Sequence, residues 1–278
     1  MKNISVIILT YNEASDVVGC IKSVQWSDDI IVVDSYSSDL TADLARLHGA
    51  NVIFNKFSGF SSQRNFALDL KIKNEWILFL DADERISVDG AREMLEFIGG
   101  AGKNVSAARM SRRDIWWGVW LKYSQISPYF VRLIRSGCAR YEREINEVLV
   151  VDGLIVDLQC PFDHFPFSKG IDHWIAKHNS YSHMEAKLIC EKNYGEINIF
   201  GAFFSKDFNF RRRCQKAIFY RMPFRPIIKF IYMIFIRFAF LDGVAGLRYA
   251  VLQSVYEYFI VLKCKEILLN RENVDHSE

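Results

Sequence analysis

Two carboxylates one residue apart, Asp81 and Asp83, close the apolar run Trp76-Ile77-Leu78-Phe79-Leu80. Oxygen-rich side chains fixed at one point suit a hard divalent cation, and such a cation in turn binds a diphosphate. Aspartate and glutamate are rarely buried unless they are paired or bind a metal. An isolated Asp-x-Asp also reads as a solvated strand end, but two further apolar runs end in the same way. Thr10-Tyr11-Asn12-Glu13 follows Ile4 to Leu9, and Asp34-Ser35-Tyr36-Ser37 follows Ile30 to Val33. Three polar ends of this kind favour a shared ligand site over three unrelated loops. No Gly-x-Gly-x-x-Gly follows the first run, so a metal-neutralised diphosphate fits better than one cradled by a glycine-rich turn.

The elements needed to position these residues are legible in the pattern. Short continuous apolar runs bounded by polar residues read as strands of a parallel sheet buried on both faces. Between them, residues 14–24, 38–48 and 61–70 carry helical spacing, with Ser38 or Asp39 as the cap of the second helix and Gly49 at its C-terminal turn. Strand and helix alternate through residues 3–98, which predicts an α/β fold: a Rossmann-like, mostly parallel sheet flanked by helices. In such sheets the strand ends lie on one edge, where ligands collect. Residues 104–160 give shorter, mixed strand signals. After Lys169 the expectation is a helical C-terminal extension, with helices over 170–191, 200–220, 226–241 and 244–269 and a frayed tail from Asn270. The predicted domains are 1–165, catalytic, and 166–278, helical.

The chain has 278 residues, 50% of them hydrophobic and 24% charged, with a net charge of +2. That is an ordinary globular composition and excludes steering by whole-molecule charge. Its six cysteines form no Cys-x-x-Cys pair, which argues against a zinc or redox motif and fits a reducing compartment. Residues 1–10 read as a strand with no signal peptide before it, so the expected location is cytoplasmic. Pro226 to Leu241 is the longest hydrophobic tract, but Lys229 and Arg237 interrupt it. It falls short of the roughly 20 apolar residues of a membrane span.

Thr10-Tyr11-Asn12-Glu13, Val32-Val33-Asp34-Ser35 with Ser37-Ser38-Asp39-Leu40-Thr41, Gln63-Arg64-Asn65 and Leu80-Asp81-Ala82-Asp83-Glu84-Arg85 resemble, in order and spacing, the motifs of family 2 glycosyltransferases. The likeness is nearest to the bacterial subgroup that builds lipopolysaccharide core and related surface polysaccharides. It is strong over about residues 3–98 and looser beyond. The resemblance implies a GT-A fold, a nucleotide-sugar donor with a bias toward UDP, a divalent cation (Mg2+ or Mn2+) and inversion at the anomeric carbon. On this resemblance Thr10, Tyr11 and Glu13 line the nucleotide pocket, with Tyr11 against the base. Asp34 hydrogen-bonds base or ribose, Arg64 faces the diphosphate, Asp81 serves the ribose or metal, and Asp83 is the principal metal ligand. The family's second motif usually has Gly where this chain has Tyr36, which puts the loop shape and the Ser35 and Ser37 contacts in question.

An inverting transfer needs a general base for the acceptor hydroxyl. Glu147 matches the family's Val-His-Glu segment, with Asn146 in place of the His and with Glu142 and Glu144 close by. His164 reads either as an extra metal ligand or as a packed structural residue. Trp116, Trp117 and Trp120 read equally as sugar-stacking faces or as core.

From Phe208 to Leu241 there are eight basic residues and no acidic one, interleaved with Phe, Tyr, Met and Ile. This suits a helix lying in an anionic membrane interface, where each basic residue adds about 1 kcal/mol. The plainer reading is a helical subdomain with a solvated basic face; no motif supports nucleic acid. The expected partners are a nucleotide sugar, a glycolipid or lipid-linked saccharide acceptor and the inner face of the cytoplasmic membrane. Two competing readings are an aspartyl phosphatase, which would carry its Asp-x-Asp on the first strand, and a non-catalytic membrane scaffold.

Overall fold

A computed structural model of the protein describes residues 3–142, 148–191, 198–205 and 207–275. The chain divides into two compact units, Met1–Trp120 with Ile126–Ser168, and Leu121–Gln125 with Lys169–Glu278.

The first unit is built on β1 (Ile4–Thr10), β2 (Ile30–Asp34), β3 (Asn51–Phe54) and β4 (Trp76–Asp81), all parallel and ordered β3-β2-β1-β4. Strand order reverses between β1 and β4, where a doubly wound sheet opens its crevice. In register, Thr10 lies opposite Asp34 and Leu9 opposite Asp81, so the three polar ends share one edge. Alternation along the strands explains the unbroken apolar runs. Ile4, Val6, Ile8, Trp76, Leu78 and Leu80 enter one core with Val17, Cys20, Ile21 and Met94. Ile7, Ile31, Val33, Ile77 and Phe79 enter a second core with Ala67. The helices α1 (Val17–Ser23), α2 (Thr41–Leu47) and α4 (Val88–Gly100) contribute to the first core and α3 (Phe60–Leu68) to the second.

Beyond β4 the sheet turns mixed. After β5 (Glu84–Arg85) come β6 (Val105–Trp116), β7 (Val119–Trp120) and β8 (Tyr129–Arg135), with β8 antiparallel between β4 and β6. β9 (Ala139–Glu142) and β10 (Val148–Val151) pair antiparallel as a separate two-stranded sheet, while β11 (Leu154–Asp157) and β12 (Phe162–His164) join β6 in parallel. The fold is mixed α/β with a largely parallel sheet flanked by helices, followed by C-terminal helices.

In the second unit α5 (Gly170–Cys190) packs on the long α9 (Gly243–Asp275). Two expected helices are broken. Residues 200–220 form α6 (Ile199–Phe204) and α7 (Phe208–Phe219). Residues 226–241 form α8 (Arg225–Ile231), a π-helical turn over Tyr232–Ile236 and a 3-10 turn over Ala239–Asp242. The second break has a backbone cause: Phe238 sits in the left-handed region at φ 56°, a conformation that ends a right-handed helix. The tail does not fray at Asn270; α9 continues to Asp275.

Candidate active site

The turn after β4 is held by charges. Arg85 donates to the carbonyls of Ala82 (2.7 Å), Glu84 (2.8 Å) and Asp16 (2.8 Å) and pairs with the Asp16 carboxylate at 3.2 Å. It can approach α1 because residue 19 is Gly, where a Cβ would lie 2.6 Å from the guanidinium. Glu84 accepts from the Asp81 N–H at 3.1 Å, closing the turn on itself. Phe165 N–H donates to the Asp83 carbonyl at 2.9 Å, tying the turn to the chain beyond β12.

Asp81 faces two guanidinium groups, Arg64 of α3 at 3.4 Å and Arg132 of β8 at 3.3 Å. Burial alone would raise its carboxyl, but Arg132, Arg64 and His164 outweigh that and hold it below the usual carboxylate range. Arg132 also pairs with the buried Glu84. Burial pushes the Glu84 carboxyl up to about 7, with Arg132 opposing and Asp81 and Asp83 adding to the rise. Burial alone would lower the Arg132 guanidinium, but Glu84 and Asp81 together keep it firmly charged. Arg64 is therefore no solvated helix charge; it is 14% exposed and stacks over Phe79 and Tyr141. Its neighbours Gln63 and Asn65 bond Ser35 and the Tyr141 backbone, so the whole tripeptide positions the site.

Asp83 keeps a third of its side chain open and lies 3.3 Å from Nε2 of His164. The other ring nitrogen, Nδ1, is 2.6 Å from the buried Asp114. Burial would lower the imidazole pKa, yet Asp114 and Asp83 together raise it to about 9. A metal-ligating histidine commonly donates its far ring N–H to a carboxylate, the role Asp114 would play for His164. Among the described residues no group of three or more His, Cys, Asp and Glu gathers around one point. A two-residue donor set still fits Mg2+ or Mn2+, because such ions at diphosphate sites take one or two protein ligands and fill the rest with phosphate and water.

At the ends of β1 and β2 the loops are stitched together. Asp34 is fully buried and accepts from Thr10 Oγ1 (2.8 Å), Ser37 N–H (2.7 Å) and Ser37 Oγ (2.6 Å). The resemblance implies a contact of this carboxylate with base or ribose; here both of its oxygens are held by Thr10 and Ser37. Asn12 accepts from Ser38 N–H at 2.8 Å, and Glu13 N–H donates to Thr41 at 2.7 Å. Asp39, expected as a helix cap, instead braces Thr41 N–H at 3.0 Å from one residue outside the cap position.

Tyr36 adopts φ 61°, a left-handed conformation that favours glycine, and stacks on Phe54 at 5.3 Å. The bulky side chain forms part of an aromatic wall there. A cavity of about 720 Å3 opens there, lined by Tyr11, Ser35, Tyr36, Lys56, Phe57 and Phe60. Tyr11 and Tyr36 are both about 60% exposed at its mouth. Of the tryptophans, Trp116 is core, stacked on Phe167 at 4.3 Å, whereas Trp117 is 66% exposed at a hairpin tip with φ 50°. Glu147 and Asn146 lie outside the described residues.

Sequence reasoning missed Arg132 and Asp114. Arg132 carried a signal, a charge set among Phe130, Val131, Leu133 and Ile134, which demands a buried partner; Asp114 follows Arg112 and Arg113 and carried none.

Glycosyl transferase family 2 matches residues 5–153 of the chain. The lipopolysaccharide core biosynthesis glycosyltransferase LpsC of Rhizobium meliloti (strain 1021) is 26% identical over 284 residues, covering 98% of this chain and 96% of LpsC. The uncharacterized glycosyltransferase RT0209 of Rickettsia typhi is 26% identical over 284 residues, covering 100% and 92%. Among solved structures, TarS 1-349 of S. aureus aligns over 90% of both chains at 14% identity and a TM-score of 0.43. Glucosyl-3-phosphoglycerate synthase from Mycobacterium tuberculosis, in complex with Mn2+, UDP and glucosyl-3-phosphoglycerate, aligns over 40% of this chain and 44% of its own at 21% identity and a TM-score of 0.35. The ordered motifs and the family match over more than half of the chain lead to one conclusion: this protein belongs to glycosyltransferase family 2.

Proposed function

We propose that the chain moves a sugar from a nucleoside diphosphate sugar, with UDP the favoured nucleotide, to a glycolipid or lipid-linked saccharide in lipopolysaccharide or another cell-surface glycan. The observation that carries this reading is Asp83 at the end of β4, facing a histidine whose far nitrogen is anchored on buried Asp114. The full-length likeness to LpsC supports the acceptor class.

In this reading Tyr11 packs against the base at the mouth of the 720 Å3 cavity, and Asp34 and Thr10 hold the loop that shapes it. Glu13 belongs to the same pocket. Asp81 steadies Arg64 at the sheet edge, where its guanidinium would face the diphosphate. Asp83 and His164 would hold a Mg2+ or Mn2+ ion, with Asp81 as a further oxygen donor if its arginines turn to the phosphates. The ion would supply Lewis-acid neutralisation of the departing nucleoside diphosphate. Glu147 would take the acceptor hydroxyl proton as that oxygen attacks the anomeric carbon from the face opposite the leaving group, inverting its configuration.

Thermal shift with UDP-, GDP-, dTDP- and CMP-sugars, with and without Mn2+, tests the donor site. Selective stabilisation by one of them, dependent on metal and lost in Asp83→Ala, is the expected result. Full turnover by Asp83→Ala with unchanged metal dependence would overturn the assignment.

A further inference from the structure

The second unit carries an elbow with an unusual outer surface. No single described helix is long and apolar enough to cross a membrane, but Arg225–Ile236 and Ala239–Arg271 together reach the required hydropathy, bent by 72°. Along the first limb Ile227, Ile231 and Phe235 follow one another at helical spacing, flanked by Phe224 before it and Phe238 after it, and all five are exposed. Phe224 is 75% exposed and Phe235 65%. Ile236, Phe240, Leu241 and Val244 extend this surface around the bend.

The elbow is a fixed structure. Asp242 accepts from Tyr123 N–H (3.0 Å), Ser124 N–H (2.7 Å) and Ser124 Oγ (2.6 Å), all from the short segment Leu121–Gln125 of the same unit. Arg237 donates to the Gln125 carbonyl at 2.5 Å. Gly246 lets Ala239 approach so closely that a Cβ there would lie 1.9 Å from the Ala239 carbonyl oxygen. The polar groups of the bend are thus turned inward and bonded while its large apolar side chains face out. A contiguous apolar patch of this kind marks an interaction surface.

Charge selects the partner. From Phe208 to Leu241 every charged residue is basic, and Arg212, Arg213 and Arg221 are exposed on the segment leading into the patch. Two copies of such a face repel one another, whereas an anionic lipid surface attracts it while its acyl region accepts the aromatic side chains.

We propose that the elbow at Phe224–Val244 docks this chain on an anionic bilayer by inserting its aromatic and aliphatic side chains into the interface without crossing it. Length supports docking over spanning. The first limb, through Ile236, has twelve residues, about 18 Å of helix against a hydrocarbon core of about 30 Å. The second limb carries Arg248, Glu257, Lys263, Lys265 and Glu266 along its length. The inference stands apart from the donor and acceptor reading, because vesicle binding requires no sugar.

The test is flotation of the full chain with vesicles of phosphatidylcholine alone and of equal parts phosphatidylcholine and phosphatidylglycerol. The decisive variant is Phe224→Asn with Phe238→Asn. Both positions have left-handed backbone (φ 52° and 56°), a region asparagine tolerates better than phenylalanine, so the variant keeps its melting temperature while losing two apolar anchors. The parent should float with the anionic vesicles, and the variant should bind them on the order of tenfold more weakly. Arg212→Gln with Arg213→Gln should weaken anionic-vesicle binding by a smaller factor. The proposal fails if the parent does not float, if the Asn variant floats equally well, or if gel filtration shows a dimer that the Asn variant dissolves.

Discussion

At the β4 end of the sheet unit Asp81, Glu84, Arg85, Arg132 and His164 each face an opposite charge, whereas at the elbow of the helical unit the side chains turned outward are apolar. Both regions hold their polar groups by internal bonds, but to different ends. In the sheet unit the bonding leaves the partly open carboxylate of Asp83 against Nε2 of His164 at 3.3 Å. In the helical unit it removes polar groups from the surface. The first arrangement suits a small, highly charged ligand and the second a broad, weakly structured one. The same physics governs both, since a buried charge must be paired and an exposed apolar face must be covered.

The largest expected effect separates the two regions. Asp83→Ala should lower sugar transfer on the order of a thousandfold or more, the scale of losing a group that stabilises charge in the transition state. The same variant should bind anionic vesicles as the parent does. Steady-state turnover beside flotation checks both halves at once. A matching loss of vesicle binding would mean that the two regions are not independent.

Much of this was legible in the sequence, for identifiable reasons. β1, β2 and β4 are buried on both faces, so each reads as an apolar run, broken only by Ser5 in β1, whose polar terminus is easily seen. Asp81, Asp83 and Arg64 stand out in the sequence because strand ends and motif spacing point to them, whereas His164, a lone histidine beside aromatics, reads either as ligand or as packed residue. The role of Arg132 was not, because its partners Asp81 and Glu84 lie about fifty positions away, a separation that local pattern does not span. The same is true of the elbow. Residues 226–241 have helical propensity throughout, and what bends them is Phe238 in the left-handed region together with the Asp242 bonds to residues 118 and 119 positions earlier. Asp34 shows the opposite limit: its position was legible but its bonding was not, since Thr10 and Ser37 together hold both of its oxygens.

A second prediction concerns what the ion pairs of the sheet unit contribute to folding. Arg132→Met leaves Glu84 buried without its guanidinium, which should cost about 3–5 kcal/mol. Chemical denaturation reads this directly. Adding Glu84→Gln to that variant removes the stranded charge and should recover part of the loss; in a pair that merely packs, the second substitution would add to the damage. The equivalent test at the elbow, Phe238→Asn, should not destabilise at all, which sharpens the contrast between a region held by charge and a surface awaiting a partner.

The smallest effect is expected at Tyr36, where stability and function should part. Tyr36→Gly relieves a left-handed conformation that costs a residue with a Cβ about 1–2 kcal/mol. It also removes the stack on Phe54, worth about 0.5–1.5 kcal/mol. These nearly cancel, so the melting temperature should move by no more than a few degrees. Donor affinity has no such compensation, because Tyr36 walls the cavity that Tyr11 enters. Titration of the stabilising nucleotide sugar against parent and variant should show weaker binding by a factor of several, with metal dependence intact. If affinity is unchanged while stability falls, the tyrosine serves the loop alone, and the donor pocket is bounded by Tyr11 and Phe60 without it.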